Sequence, residues 1–298
     1  MKLITPVTKL YNNVFFKLEY LNVGGSHKSR AARRMISDAV DSGKIIPGRT
    51  TIIEKTGGNL GIGLAVEANK RGIDLDLAVG LSFSPFKRRL LEYYGANMIG
   101  IDMMKGGLLP RQVIEFHMTH QEDFGKEYFF IDQFSNKANV RVHFEETGPE
   151  LAEFIVKNKL TNKKIILLGG IGSGASLCGT GSYLKSCFRD VSIVGVQPEG
   201  CSIVDEIFTD HPIQGLAVGV KPKIFDEAVI DQYLSIKPEK AEQGQNILLN
   251  QLGIYGGIST GANIGAIEEL IKEVNQDSVI FSFVYDSGDS YINLENVA

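Results

Sequence analysis

The alternation of short apolar runs with segments of helical period constrains the fold more than any other feature of this sequence. Residues 50–55 (TTIIEK) read as a strand, 56–59 (TGGN) as a turn, and LGIGLAVEANKRG as a helix closed by Arg71 and Gly72. DLDLAVGL at 74–81 follows, with Leu75, Leu77 and Val79 alternating as the buried face of a strand would. Ser84 and Pro85 then supply a cap and first-turn pair for a helix running to Gly95. KKIILLGG (163–170), VSIVGVQPE (191–199) and SVIFSFVYDSG (278–288) repeat the pattern, each a buried strand that ends in turn residues. The alternation predicts an α/β fold whose mainly parallel sheets are covered by helices on both faces. No Pro- or Ser-rich linker interrupts it, so two domains are expected, with the chain crossing between them more than once. In such folds ligands sit at the carboxyl ends of strands. That directs attention to TGGN at 56–59, GGIGSGAS at 169–176 and DSGDS at 286–290.

Composition narrows the classes of function. The 298 residues are 43% hydrophobic, enough for well-buried cores, and the net charge of -4 argues against nucleic acid or an anionic membrane surface as partner. The short basic clusters Arg30, Arg33, Arg34 and Lys87, Arg88, Arg89 lack interleaved aromatics and read as solvated helix faces. Three cysteines without a CxxC pair suit reduced thiols in the cytoplasm. MKLITPVTKL has no signal-peptide core, and no apolar run reaches spanning length. The five histidines show no HExxH spacing, so no metal is expected.

GGIGSGASLCGTG (169–181) is the strongest local signal. It follows a strand and opens a helix, where glycines allow close approach to an anion and the helix N-terminus presents unpaired N–H donors. The same stretch contains GIGSGA, which fits the dinucleotide fingerprint G-x-G-x-x-G/A, with Glu199 as the acidic residue beyond the next strand. A nicotinamide-dependent Rossmann dehydrogenase is therefore an alternative. GISTG at 257–261 fits the nucleophile-elbow pattern, yet no histidine follows His211 to complete a triad in that chain order. Ser259 is read instead as a helix cap.

NVGGSHKSR at 22–30 places a lysine just past a double glycine. Ala31, Ala32, Met35, Ile36, Ala39 and Val40 recur at helical spacing, so a helix starts near Ser26 with Lys28 in its first turn. The helix dipole and Arg30 should both lower the lysine pKa there. A Schiff-base lysine gains from that placement because the free amine is reactive. First-turn lysines are also tolerated without any function, and spacing alone leaves both readings open.

VFFKLEYLNVGGSHKSR, EKTGGNLGIGLA, QFSNKANVRVHFEETGPEL, GSGASLCGTGSYLK, IQGLAVG, GIYGGISTGA and DSGDSYI appear in the order of the matching segments of a known family. Over essentially its whole length the chain resembles the cysteine synthase (O-acetylserine sulfhydrylase-like) family of fold-type II pyridoxal-phosphate enzymes. The resemblance implies two tryptophan synthase β-like domains, each a mainly parallel twisted sheet flanked by helices. One is a smaller N-terminal domain over 33–138 with the substrate-carboxylate loop. The other is a larger domain from 1–32 plus 139–298 with the cofactor-phosphate loop. It implies that Lys28 holds pyridoxal 5'-phosphate and acts as the acid/base. Gly172, Ser173, Gly174, Ala175 and Ser176 would cradle the phosphate, Asn59 would bond the 3′ oxygen, and Ser287 would face the pyridine nitrogen. Thr56, Gly57, Gly58, Asn59 and Leu60, with Gln133, would bind the substrate α-carboxylate. The implied reaction is β-replacement on an O-activated serine or cysteine-like amino acid through an α-aminoacrylate, with a small nucleophile as second substrate, in a cytoplasmic homodimer. Two alternatives stay beside it: a β-elimination lyase acting on serine or cysteine, and a non-catalytic relative that only binds the cofactor.

The chain departs from the family pattern at several places. His27 and Ser29 replace the valine and aspartate of S-V-K-D-R, and Gly57 and Leu60 remove two hydroxyls from T-S-G-N-T. Each lost hydrogen bond to a charged group is worth about 1.5–3 kcal/mol. Ala217 and Val218 are bulkier than the glycine-rich pattern usual there. These changes imply altered substrate choice with the cofactor set complete. On this reading Gly57→Ser with Leu60→Thr should raise turnover of O-acetylserine.

Overall fold

The structure is a computed structural model that describes residues 4–11, 13–83, 85–275 and 277–291, side chains at 85, 86 and 290 excepted. The strands, in chain order, are β1 (Val7–Tyr11), β2 (Val14–Leu18), β3 (Thr50–Glu54), β4 (Leu75–Leu77) and β5 (Asn97–Met98). They continue with β6 (Glu127–Phe130), β7 (Ile165–Gly170), β8 (Val191–Pro198), β9 (Gln232–Ile236) and β10 (Val279–Val284). The described residues form two compact units, one built from those up to Asn22 with those from 139 to 291, the other spanning Val23–Ala138.

The first unit holds a six-stranded sheet in the order β1-β2-β10-β7-β8-β9. Only the β1–β2 pair is antiparallel. Its central strands are mainly apolar because both faces are covered, although β10 carries the buried Ser282 and β8 the buried Gln197. All six residues of β7 and of β10 are buried. Along β10, Ile280 and Val284 enter one core while Val279, Phe281 and Phe283 enter another, as the two-residue period of a strand requires. Burying each such side chain stabilises the fold by about 1.5–3 kcal/mol. β2 carries an exception, Lys17, which is 0% exposed. Its Nζ donates to the Thr5 carbonyl (2.8 Å), the Thr5 hydroxyl (2.7 Å) and Glu150 (2.6 Å), with Glu19 at 3.6 Å.

The second unit holds an all-parallel sheet in the order β5-β4-β3-β6. β3 is central and buried at every position, with Ile52 in one core and Ile53 in the other. Helices Lys28–Asp41 and Asn59–Asn69 pack together through Gly63. A Cβ there would lie 3.1 Å from that of Ala32 and 3.2 Å from the Lys28 carbonyl oxygen, so any larger residue would push the two helices slightly apart. The helix predicted to follow Ser84 runs over Pro85–Tyr93, and Ser84 itself lies outside the described residues.

Candidate functional site

The turn before Lys28 needs both of its glycines. Gly24 and Gly25 are left-handed, at φ +84 and +74, a conformation that costs other residues about 1–2 kcal/mol each. Ser29 Oγ donates to the Val23 carbonyl, which fastens this turn to the start of the helix. The serine that stands where the family has aspartate is thus a strap on the glycine turn. The helix begins at Lys28 with His27, not Ser26, as its cap residue. Burial pushes the Lys28 amine down to about 8, and the Glu54 carboxylate offsets part of that effect. The direction agrees with the sequence reading, but desolvation is the cause. Arg30 departs further from expectation: it is 0% exposed and belongs to no solvated face.

In the same unit, the loop after β3 leads into helix Asn59–Asn69. Gly58 is its cap residue, so the first-turn N–H groups beyond it are available to an anion at the positive end of the dipole. Thr56, Gly58 and Asn59 are partly exposed, whereas Gly57 and Leu60 are buried. Leu60 is 2% exposed and packs in the core with Leu64, Leu77 and Leu91. It can offer a ligand its backbone but not its side chain. A Cβ on Gly57 would stand 2.7 Å from Phe83 Cγ and 2.7 Å from Val79 Cγ1. The space of the missing serine hydroxyl is therefore filled, and Gly57→Ser cannot restore a family contact without displacing an aromatic ring. The variant expected to raise O-acetylserine turnover therefore carries a packing cost at this position. Gln133, also buried, joins the loop through Glu54, which accepts N–H bonds from Lys55 (2.9 Å) and Gln133 (3.3 Å). Sequence reading treated Glu54 only as part of a strand.

The other unit holds the second glycine turn and Ser287. Residues 171–174 join β7 to helix Ala175–Cys187. A Cβ on Gly172 would lie 2.2 Å from the Gly215 carbonyl oxygen, and Gly174 is left-handed at φ +75 with Phe225 2.4 Å from where its Cβ would be. The helix's own ladder begins only at Cys178 N–H, bonded to the Gly174 carbonyl (2.8 Å), so the preceding N–H groups point out of the ladder. Ser173 and Ser176 add two buried hydroxyls. Ala217 N–H donates to the Ile171 carbonyl (2.9 Å) with Ala217 itself at φ +41, so the GLAVG turn packs directly on this loop. Ser287 follows β10, held by a bridge to Gly256, and its hydroxyl donates to Asp289 (2.7 Å). Ser259 lies inside the first turn of helix Ile258–Leu270, whose cap residue is Gly257.

The donor chemistry fits pyridoxal phosphate. A glycine turn with helix-terminal N–H groups and two hydroxyls suits a phosphate, and an amine depressed to about 8 suits an aldehyde. Comparison with known proteins agrees. The family model described as "Pyridoxal-phosphate dependent enzyme" matches residues 3–286, and the chain belongs to that family. Cysteine synthase of Staphylococcus aureus is 34% identical over 97% of this chain and 93% of its own length. Among solved structures, O-ureido-L-serine synthase superposes with a TM-score of 0.85 at 29% identity, covering 96% of this chain and 90% of the other. A hydrogen sulfide-producing enzyme from Fusobacterium nucleatum gives 0.84 at 28% identity, covering 97% and 95%. The protein is thus an enzyme with pyridoxal phosphate as cofactor, and the dinucleotide reading of GIGSGA falls.

Proposed function

We propose that this enzyme replaces the β-substituent of an O-activated serine or cysteine-like amino acid with a small nucleophile such as sulfide or an amine. The observation that carries the reading is the Lys28 amine, brought to about 8 by burial at the start of its helix. Lys28 Nζ would hold the cofactor covalently, with the 172–176 loop for its phosphate, Asn59 for its 3′ oxygen and Ser287 for its ring nitrogen. Pyridoxal phosphate, when bound, supplies the electron sink that acidifies the substrate Cα–H and lets the β-substituent leave. A neutral hydroxyl at Ser287 favours β-chemistry over reactions that need a full carbanion. The N–H groups of 57–60, with Thr56, Asn59 and Gln133, hold the α-carboxylate and so orient the Cα–H toward Lys28 Nζ. That amine, half neutral near pH 8, removes the proton. The packing of Phe83 against Gly57 and the core position of Leu60 support a choice of amino acid that differs from that of relatives with hydroxyls there.

The similarity to the hydrogen sulfide-producing enzyme favours a second reading, elimination without replacement. Water exclusion decides between the two. The three cysteines are free thiols, which supports a reducing compartment, and we place the enzyme in the cytoplasm as a homodimer. No helix among the described residues is long and apolar enough to cross a membrane. Purified protein should show a visible band that borohydride bleaches and fixes onto Lys28; a protein left colourless by added pyridoxal phosphate would sink the reading. O-acetylserine, O-phosphoserine, serine and cysteine, each with and without sulfide, then separate replacement from elimination. Release of pyruvate unaffected by sulfide establishes the second reading.

A further inference from the structure

At the end of β3 lies a carboxylate that the chemistry above does not use. Glu54 is 1% exposed. β3 and β6 pair in parallel as far as Ile53 and Phe130, and one more bond runs from Ile131 N–H to the Ile53 carbonyl (3.3 Å). Beyond that point Glu54 links the two chain segments through its side chain. Oε1 accepts from Lys55 N–H and Oε2 from Gln133 N–H. Lys55 opens the 56–60 loop, and Gln133 is the other residue assigned to the amino-acid carboxylate. One buried side chain therefore fixes both parts of the carboxylate site.

Its charge state is poised. Burial pushes Glu54 up to about 7, the Asp132 carboxylate adds to that, and the two N–H bonds and Lys55 pull it back. The ionised form in turn favours the protonated amine of Lys28. Protonation of Glu54 turns one of its oxygens into a hydroxyl, a weaker acceptor for a backbone N–H than the carboxylate oxygen it replaces.

We propose that Glu54 is a positioning residue: its two oxygens hold the 55–60 loop and Gln133 in register for the amino-acid carboxylate, while its negative charge acts on Lys28. The inference rests on the assignment of Lys28 and this loop made above. Two variants separate its parts. Glu54→Gln keeps the length and removes the charge; Glu54→Asp keeps the charge and is one methylene too short for both N–H groups. Borohydride fixation of the holoenzyme is checked first. Its failure in the unsubstituted protein overturns the Lys28 assignment, and Glu54 is then judged on cofactor-free protein alone. There, reductive methylation of Lys28 with formaldehyde and cyanoborohydride is followed by peptide mass spectrometry across pH 6–10. At pH 7, Glu54→Gln should label Lys28 about fivefold faster, because loss of the negative charge frees more neutral amine, and Glu54→Asp should label at the original rate. With holoenzyme, KM for the amino-acid substrate should rise about tenfold or more in both variants, with kcat falling less. Unchanged labelling in Glu54→Gln, or unchanged KM in Glu54→Asp, overturns the proposal.

Discussion

Two lysines, one in each unit, show what decides between a structural cation and a reactive amine: Lys17 is fully buried and Lys28 partly so. Lys17 is enclosed in β2 by three acceptors within 2.8 Å, including the Glu150 carboxylate. Its charge is matched where it sits. Lys28 is desolvated at the first turn of a helix, where the dipole opposes a cation, and Glu54 offsets only part of the loss. Removal from water is common to both. The surrounding oxygens make one a rivet and leave the other able to lose its proton near neutral pH.

The comparison breaks most visibly at Lys28. Lys28→Ala should abolish borohydride fixation and lower turnover by about a thousandfold or more while the circular dichroism spectrum stays unchanged. In the unsubstituted protein, the rate of cofactor attachment should climb as pH rises from 6 toward 9 and level off above about 8, because a depressed amine is protonated below its pKa and reactive above it. A rate independent of pH would contradict the desolvation argument. Lys17→Met is the counterpart. It removes a buried cation from beside the Glu150 and Glu19 carboxylates, so denaturant titration should show a loss of about 3–5 kcal/mol, with fixation on Lys28 retained wherever the protein is folded.

Smaller effects sharpen the same contrast between packing and chemistry. Gly57→Ser should cost about 1–3 kcal/mol of stability through its collision with Phe83 and Val79. Adding Phe83→Ala should recover part of it; equal melting temperatures for Gly57→Ser and the parent would refute the packing account. Ala217→Gly should be the mildest change, a gain of up to about 1 kcal/mol from relief of its positive φ, again read by denaturant titration.

The central strands were legible in the sequence because burial on both faces leaves a nearly continuous apolar run, as in IILLGG of β7 and VIFSFV of β10, broken only at Ser282. The edge strands β1 and β9 were not, since their exposed positions dilute the run, and Lys17 interrupts β2 with a charge whose partners are remote in sequence. At the candidate site the glycine turns were legible because their backbone requirement is local. Arg30 looked like surface, and Gly57 looked like a lost hydroxyl. Arg30 is fully buried, which no local pattern encodes, and the ring that fills the space at Gly57 belongs to Phe83, twenty-six residues further on. Glu54 escaped notice for the same reason, its second partner being Gln133 on another strand's far side.

The fit of Phe83 and Val79 against Gly57 also bears on how such a loop changes over generations. A serine that enters first collides with the ring and with Val79, and a ring that shrinks first leaves a void until the serine arrives. Either first step yields a less stable protein. The loop is thereby fenced off from its relatives by a valley that two simultaneous changes must cross, and its chemistry is inherited together with its packing partner.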